Sequence, residues 1–201
     1  MFIYRLAFCT DMNILTKEEF FAHEKEYIKK IEKGAIFIYP TDTIYGIGTN
    51  ALDTKAVQKI REIKKRPDMP FSIIAPSKAW IHDNCEVRPY EQEWLDKMPG
   101  PYTLLLKLKN TNAISEEVNV SGQTVGVRIP DHWIAKIASD ANMPIVTTSV
   151  NISGNAPLRH ISEMQPDIGK YVQFCIDEGL LQGRPSKIID CTSGTCAVRE
   201  R

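Results

Sequence analysis

A single α/β domain on a mixed, twisted β-sheet flanked by helices is the fold class this sequence predicts, and three observations carry it. Short apolar runs rich in β-branched and aromatic residues recur at 35–39, 71–75, 102–108, 124–129 and 144–150. Segments with helical spacing lie between some of these runs but not all, so the strict alternation of an all-parallel sheet is missing. No linker-like tract, internal repeat or low-complexity stretch divides the 201 residues, a length that suits one domain able to bury its core without staples.

The elements follow in order. Thr16 and Glu19 frame a T-x-x-E capping box that opens a helix over 17–33. Phe20, Phe21, Tyr27, Ile28 and Ile31 supply its apolar side, and Gly34 stands where a C-terminal cap belongs. Met12 just ahead offers an alternative start, so residues 1–13 are expected to be a peripheral extension and 14–201 the domain. The strand AIFIY at 35–39 ends at Pro40, and TDTIYGIGTNA reads as a loop. Asp53 caps a helix running to Lys65, with Ala56, Val57, Ile60 and Ile63 on one face and Pro67 and Pro70 stopping it. A strand at 71–75 leads to short helical patterns over 77–98, broken at Pro89 and closed by Pro99-Gly100. Strands at 102–108 and 124–129, a helix over 131–142 and a strand at 144–150 come next. The turn-rich NISGNAP, a helix at 161–171 and strands near 172–176, 187–190 and 196–199 complete the chain.

Composition excludes several classes. Lys+Arg and Asp+Glu number 25 each, so a protein living by clamping nucleic-acid phosphates is not indicated. No apolar run approaches the ~20 residues of a bilayer span, and no secretion signal is legible at the start, so a cytoplasmic, membrane-free protein is expected. Cys9, Cys85, Cys175, Cys191 and Cys196 are odd in number and scattered, which points to a reducing compartment. The C-x4-C pair Cys191 and Cys196 lacks the companions of a zinc site and reads as small strand residues. His23, His82, His132 and His160 stand apart and read as surface or helix-end residues, and no metal site is expected. P-loop, dinucleotide, nucleophile-elbow and H-E-x-x-H signatures are missing.

Polar residues gather instead just past strand and helix ends, where α/β proteins tend to hold ligands. The segments are Pro40 to Gly46, Lys64-Lys65-Arg66-Pro67, Thr124 to Pro130 and Thr147 to Gly154. Each has a plainer reading. Cations at a helix C-terminus offset its dipole, Asn-Ser-Gly tracts make turns, and Arg128 inside an apolar strand could be held by a structural carboxylate as well as by an anionic ligand. Together they imply fixed positive charge, hydroxyls and exposed N–H groups, a composition suited to phosphate or carboxylate.

The ordered set PTDTIYGIG, KKRP, GPYTLLLK, TVGVRIP, TTSVNISG and the terminal SKIID and VR resembles the YrdC-type threonylcarbamoyl-AMP synthases over about residues 14–201. The pairing of a K-x-R motif (Lys64-Lys65-Arg66) with an S-x-N motif (Ser149-Val150-Asn151) is its most specific part. The resemblance implies a twisted α/β sheet with a large positive concavity, and, since the chain ends after the last expected strand, the single-domain form. It implies condensation of L-threonine, bicarbonate and ATP to threonylcarbamoyl-adenylate and pyrophosphate, for N6-threonylcarbamoyladenosine formation at tRNA position 37. ATP is then a substrate, Mg2+ is implied, and the partners would be a downstream threonylcarbamoyl-transferase complex and a weak tRNA contact. By resemblance Lys64, Arg66, Ser149 and Asn151 are catalytic, and these four with Thr124 and Arg199 bind ATP. Thr41, Thr43, Arg128, Thr147 and Ser186 would bind threonine, with either Thr41 or Thr43 facing it. Two departures stand out: Lys187 replaces the usual Thr after Ser186, and Glu200 follows Arg199 where the family's terminal segment runs on to Gly. The competing reading is a non-enzymatic RNA-binding module of the same fold; an altered sister branch and a hydrogenase-maturation carbamoyl-transfer domain stand behind it.

Overall fold

Ten strands form one mixed sheet in the computed structural model, which describes residues 12–120 and 122–200. In chain order the elements are β1 (Asn13–Leu15), α1 (Lys17–Ala22), α2 (Glu24–Glu32), β2 (Phe37–Tyr39), β3 (Gly46–Gly48), α3 (Thr54–Lys64), β4 (Ser72–Ile74), α4 (Lys78–Asn84), α5 (Pro89–Asp96) and β5 (Tyr102–Lys107). There follow β6 (Thr124–Arg128), α6 (Ala135–Asp140), β7 (Ile145–Ser149), α7 (Pro166–Gly169), β8 (Phe174–Ile176), β9 (Lys187–Asp190) and β10 (Ala197–Arg199). The strand order is β1-β8-β2-β3-β7-β4-β6-β5-β9-β10. The β1/β8, β2/β8, β4/β6 and β5/β9 pairs are parallel and the rest antiparallel.

Alternation along the strands divides the apolar residues into two cores. One face turns Ile38, Ile47, Ile73, Val146, Val127, Leu104 and Ile189 onto Val57 and Ile60 of α3, Ile81 of α4 and Leu95 of α5. The other face turns Phe37, Tyr39, Ile74, Ile145 and Phe174 onto Phe20, Tyr27, Ile31 and Ile137 of α1, α2 and α6. That second cover stops short of the full sheet. Further across, the same face carries Thr147 paired with Ser72, Ser72 with Gly126, and Gly126 with Leu105. Small and hydroxyl-bearing residues there cannot repay a helix lid with buried apolar area, so this half of the face stays open.

Several expectations need correction. The helix expected over 17–33 breaks at His23, whose φ of −127° is not helical. The break lets Phe20 on one piece and Tyr27 and Ile31 on the other all reach the sheet. Within the loop expected at 41–51 lies β3, hidden by its glycines. A Cβ on Gly48 would sit 2.1 Å from the Val146 carbonyl oxygen and against the Tyr39 ring, so the central strand is built of residues that usually signal turns. The helical stretch of 77–98 divides ahead of Pro89 into α4 and α5, and Pro89 itself opens α5, where the first helical position needs no N–H bond. The helix of 131–142 shrinks to Ala135–Asp140, and that of 161–171 to a 3-10 turn at Ile161–Glu163 and the one-turn α7. Cys191 and Cys196 are not separate small strand residues: a disulfide joins them across the β9–β10 turn. The expected peripheral extension lies outside the described residues at 1–11, while Asn13 already belongs to the sheet.

Candidate functional site

The open half of the second face holds a cavity of about 130 Å³. Its wall includes Thr41, Ser72, Thr103, Arg128, Thr147, Thr148, Ser149 and Ser186, with Ile44, Pro157 and Pro185. Hydroxyls therefore dominate, and one guanidinium supplies the charge. Gly126 lies in the floor by register; a Cβ there would come within 2.7 Å of Ser72 Oγ and 3.2 Å of Thr103 Cγ2. Its absence preserves the depth of the cavity.

The loop after β2 is shaped by its own side chains. Thr41 Oγ1 accepts the N–H groups of Thr43 (3.1 Å) and Ile44 (3.2 Å), while its hydroxyl contacts the Ile44 carbonyl oxygen at 2.7 Å. Thr41 lines the cavity; Thr43 stands behind it, its Oγ1 3.4 Å from Arg128 Nη1. Asp42 is the carboxylate that holds Arg128, at 2.5 Å from Nη2, and its other oxygen accepts the N–H of Asp131 at 3.0 Å. Arg128 thus has the structural carboxylate as its partner on one edge of the fork, while its buried Nε has no hydrogen-bond partner. Thr103 and Ser186 hydroxyls meet at 2.8 Å and close the far wall. Lys187, the departure after Ser186, is exposed and pairs with Glu200 at 2.8 Å.

The two short motifs meet. Lys64 ends α3 almost fully buried, and its Nζ donates to the Ser149 carbonyl, the Asn151 carbonyl (2.9 Å) and Asn151 Oδ1 (3.0 Å). Three acceptors match the three protons of an ammonium. Burial, and next the guanidinium of Arg66, push its pKa down to about 7. Ser149 Oγ donates to Asn151 Oδ1 at 2.5 Å, Asn151 Nδ2 to the Asn155 carbonyl at 2.6 Å, and the Ser153 N–H to the Lys64 carbonyl at 3.0 Å. The K-x-R helix end and the S-x-N loop are consequently one unit, and Ser149 joins that unit to the cavity.

Not every expected residue reaches the cavity wall. Arg66 lies in the loop after α3, its Nη2 donating to the Pro70 carbonyl at 2.8 Å. Thr124 starts β6 and receives the Asn119 side-chain amide on its carbonyl at 2.8 Å. Arg199 is two-thirds exposed on β10 and pairs with Asp190 at 2.8 Å. Lys64 is turned toward the S-x-N loop. The positive character of the cavity wall itself is thus smaller than the resemblance implies, with Arg128 partly offset by Asp42. Sequence reading missed Ser72 and Thr103, which lie inside strands. Their signal was a polar residue at a core-period position, facing the side opposite to Ile73 and Leu104.

Among known proteins, the family model described as "Telomere recombination" and named for Sua5, YciO and YrdC matches residues 29–200. A threonylcarbamoyl-AMP synthase of Pyrococcus abyssi is 35% identical over 167 residues, covering 81% of this chain and 48% of its own length. One of Vibrio campbellii is 27% identical over 173 residues, covering 83% of this chain and 92% of its own. The crystal structure of P. abyssi Sua5 complexed with L-threonine superposes with a TM-score of 0.82 at 30% identity, over 94% of this chain and 56% of that one. The chain therefore spans about half the length of the Pyrococcus proteins and nearly all of the Vibrio one. By the extent of that match, the ordered motifs and the shared architecture, this chain belongs to the Sua5/YciO/YrdC family.

Proposed function

We propose that the chain is a threonylcarbamoyl-AMP synthase, condensing L-threonine, bicarbonate and ATP to threonylcarbamoyl-adenylate with release of pyrophosphate and water. The observation that carries this is the union of a small hydroxyl-lined cavity holding one fixed guanidinium with the interlocked K-x-R and S-x-N segments at its side. The synthase names of relatives at 35% and 27% identity, and the threonine held by P. abyssi Sua5, support the same reading.

The chemistry suits these residue types. The cavity is small and polar, as an amino acid with a hydroxyl side chain requires. Arg128 is the counter-charge for its carboxylate, and Thr41, Ser72, Thr103, Thr147 and Ser186 are neighbours for its hydroxyl and amine. The amine takes up bicarbonate to give a carbamate and water. A carbamate oxygen then attacks the α-phosphorus of ATP, and pyrophosphate leaves. Carbamates are short-lived in water, so an enclosing wall and a nearby nucleotide matter more than a proton shuttle. Arg66, with Ser149 and Asn151, would face the phosphates; Thr124 and Arg199 would belong to the nucleotide's outer contacts. Bound with the ATP, Mg2+ would supply charge neutralisation of the phosphates. The adenylate would pass to a threonylcarbamoyl-transferase acting on tRNA. Among the described residues no helix is long and apolar enough to cross a membrane.

A pyrophosphate-release assay tests the proposal by comparing ATP alone, ATP with threonine, and ATP with threonine and bicarbonate. Release that needs all three is expected. Release from ATP alone at the same rate, or none under any condition, would overturn it.

A further inference from the structure

The structure carries a second arginine beside the K-x-R motif that the motif does not include. Arg61 sits one turn before Lys64 on α3 and is 6% exposed. Its Nη1 reaches the carbonyl oxygens of Arg66, Pro67 and Met69, each at 3.0 Å. Its Nε and Nη2 reach the Glu117 carbonyl at 2.9 and 2.6 Å, and Nε lies 3.2 Å from the Glu117 carboxylate. The guanidinium carbon Cζ lies over the Phe71 ring, 4.7 Å from its centroid.

These contacts have a cause in the sequence. The loop that bears Arg66 contains Pro67 and Pro70, neither of which has an N–H to offer. Lys65 adds a left-handed turn at φ +50°, so the chain leaves α3 abruptly. Carbonyls in such a loop lack the backbone donors that a regular element would supply. One planar, five-donor group at the centre of the loop replaces them. The same group ties the loop to the 3-10 turn Glu116–Val118. That turn leads into Asn119, whose side chain holds the Thr124 carbonyl.

We infer that Arg61 is a positioning residue for the nucleotide end of the site: it sets the course of the loop carrying Arg66 and links that loop to the approach to Thr124. This rests on the synthase reading above. Its geometry has no counterpart on the threonine side, because none of the Arg61 partners lines the cavity. A compact ammonium cannot reproduce a planar fork that serves five carbonyls in two segments, those of Arg66, Pro67 and Met69 and those of Glu117 and Val118, so lysine should recover the charge and the packing but only part of the function.

The test compares Arg61→Lys and Arg61→Met with wild type. ATP affinity is measured by calorimetry, and KM for ATP and for threonine in the pyrophosphate assay, with a thermal melt for each protein. In Arg61→Met, ATP affinity should fall and KM for ATP should rise by roughly tenfold or more, within the range of an ångström-scale misplacement. KM for threonine should change less than about twofold, and Arg61→Lys should fall between the two. Equal rises in both KM values would indicate a general loss of fold and overturn the inference, as would unchanged ATP affinity in a folded Arg61→Met. Should Arg61→Met fail to fold, Arg61→Lys decides by the same split. A wild type that binds ATP without releasing pyrophosphate overturns the synthase reading alone, and the affinity comparison still decides the role of Arg61. A wild type that binds no ATP overturns both.

Discussion

Lys64 is almost fully buried at the end of α3. Its amine is buried, stands near Arg66, and spends its donors on the S-x-N loop. In the unfolded chain it would titrate near 10.5, and in the fold at about 7. Between those values the unfolded chain holds more protons, so the linkage makes wild-type stability rise with pH across that window. The cost is fully present below about 7 and relieved toward 10.5. Urea denaturation of wild type and Lys64→Met at pH 6.5 and 9 checks this. Wild type should gain on the variant at the higher pH, and a pH-independent difference would show that Lys64 keeps an ordinary pKa. Arg66 carries a different expectation, one of transition-state charge. Arg66→Ala should slow adenylate formation on the order of 10²-fold or more, the size of losing one key electrostatic donor. Near-wild-type ATP–pyrophosphate exchange in that variant would remove the assigned role. Both residues were legible in the sequence as part of a motif, but the direction each takes was not. Whether a lysine at a helix end turns inward depends on acceptors 85 and 87 positions away.

Elements decide how those residues meet. The helix Thr54–Lys64 was legible because its Asp53 cap and its apolar spacing are local facts. The strand Gly46–Gly48 was not, because its reason is the closeness of its neighbours across the sheet. The disulfide at the β9–β10 turn escaped for a similar reason, since pairing depends on the hairpin and not on the C-x4-C spacing alone. The connection from β8 to β9 shows how an irregular segment can build a wall. It passes from one side of the sheet order to the other and contributes Pro185 and Ser186 to the cavity. Tyr45 Oη donates to the Gly179 carbonyl at 2.8 Å, and the Leu181 N–H bonds the Arg159 carbonyl at 2.9 Å. Gly183 lies so close to the loop after β2 that an added Cβ would stand 1.9 Å from the Thr43 carbonyl oxygen. Gly183→Ala must therefore displace one backbone segment from the other. Overpacking of this kind costs about 2 kcal/mol, readable as a lower urea midpoint, and it should weaken threonine binding by opening the wall. An unchanged midpoint with unchanged threonine affinity would show that the connection does not bear on the site.

At the scale of the whole molecule, the second face of the sheet is only half covered by helices. Aromatic and aliphatic residues draw α1, α2 and α6 onto one half, and the hydroxyl-rich other half walls the cavity. The mixed α/β class was legible because it follows from the spacing of apolar runs. The boundary between covered and open halves was not, since it depends on strand order, and β8 reaches its place beside β1 and β2 only from the far end of the chain. The resemblance named Thr41, Thr43, Arg128, Thr147 and Ser186 as one group, and all but Thr43 line one cavity; Ser72 and Thr103 joined them only once register was known. In the synthase proposal this uncovered half-face receives the amino acid. Titrating L-threonine into isotope-labelled protein and following backbone amide NMR shifts tests it most directly. Saturable shifts centred on Ser72, Thr103, Arg128, Thr147 and Ser186 are expected. Shifts confined to the helix-covered half around Phe20, Tyr27 and Ile137, or none at saturating threonine, would contradict it.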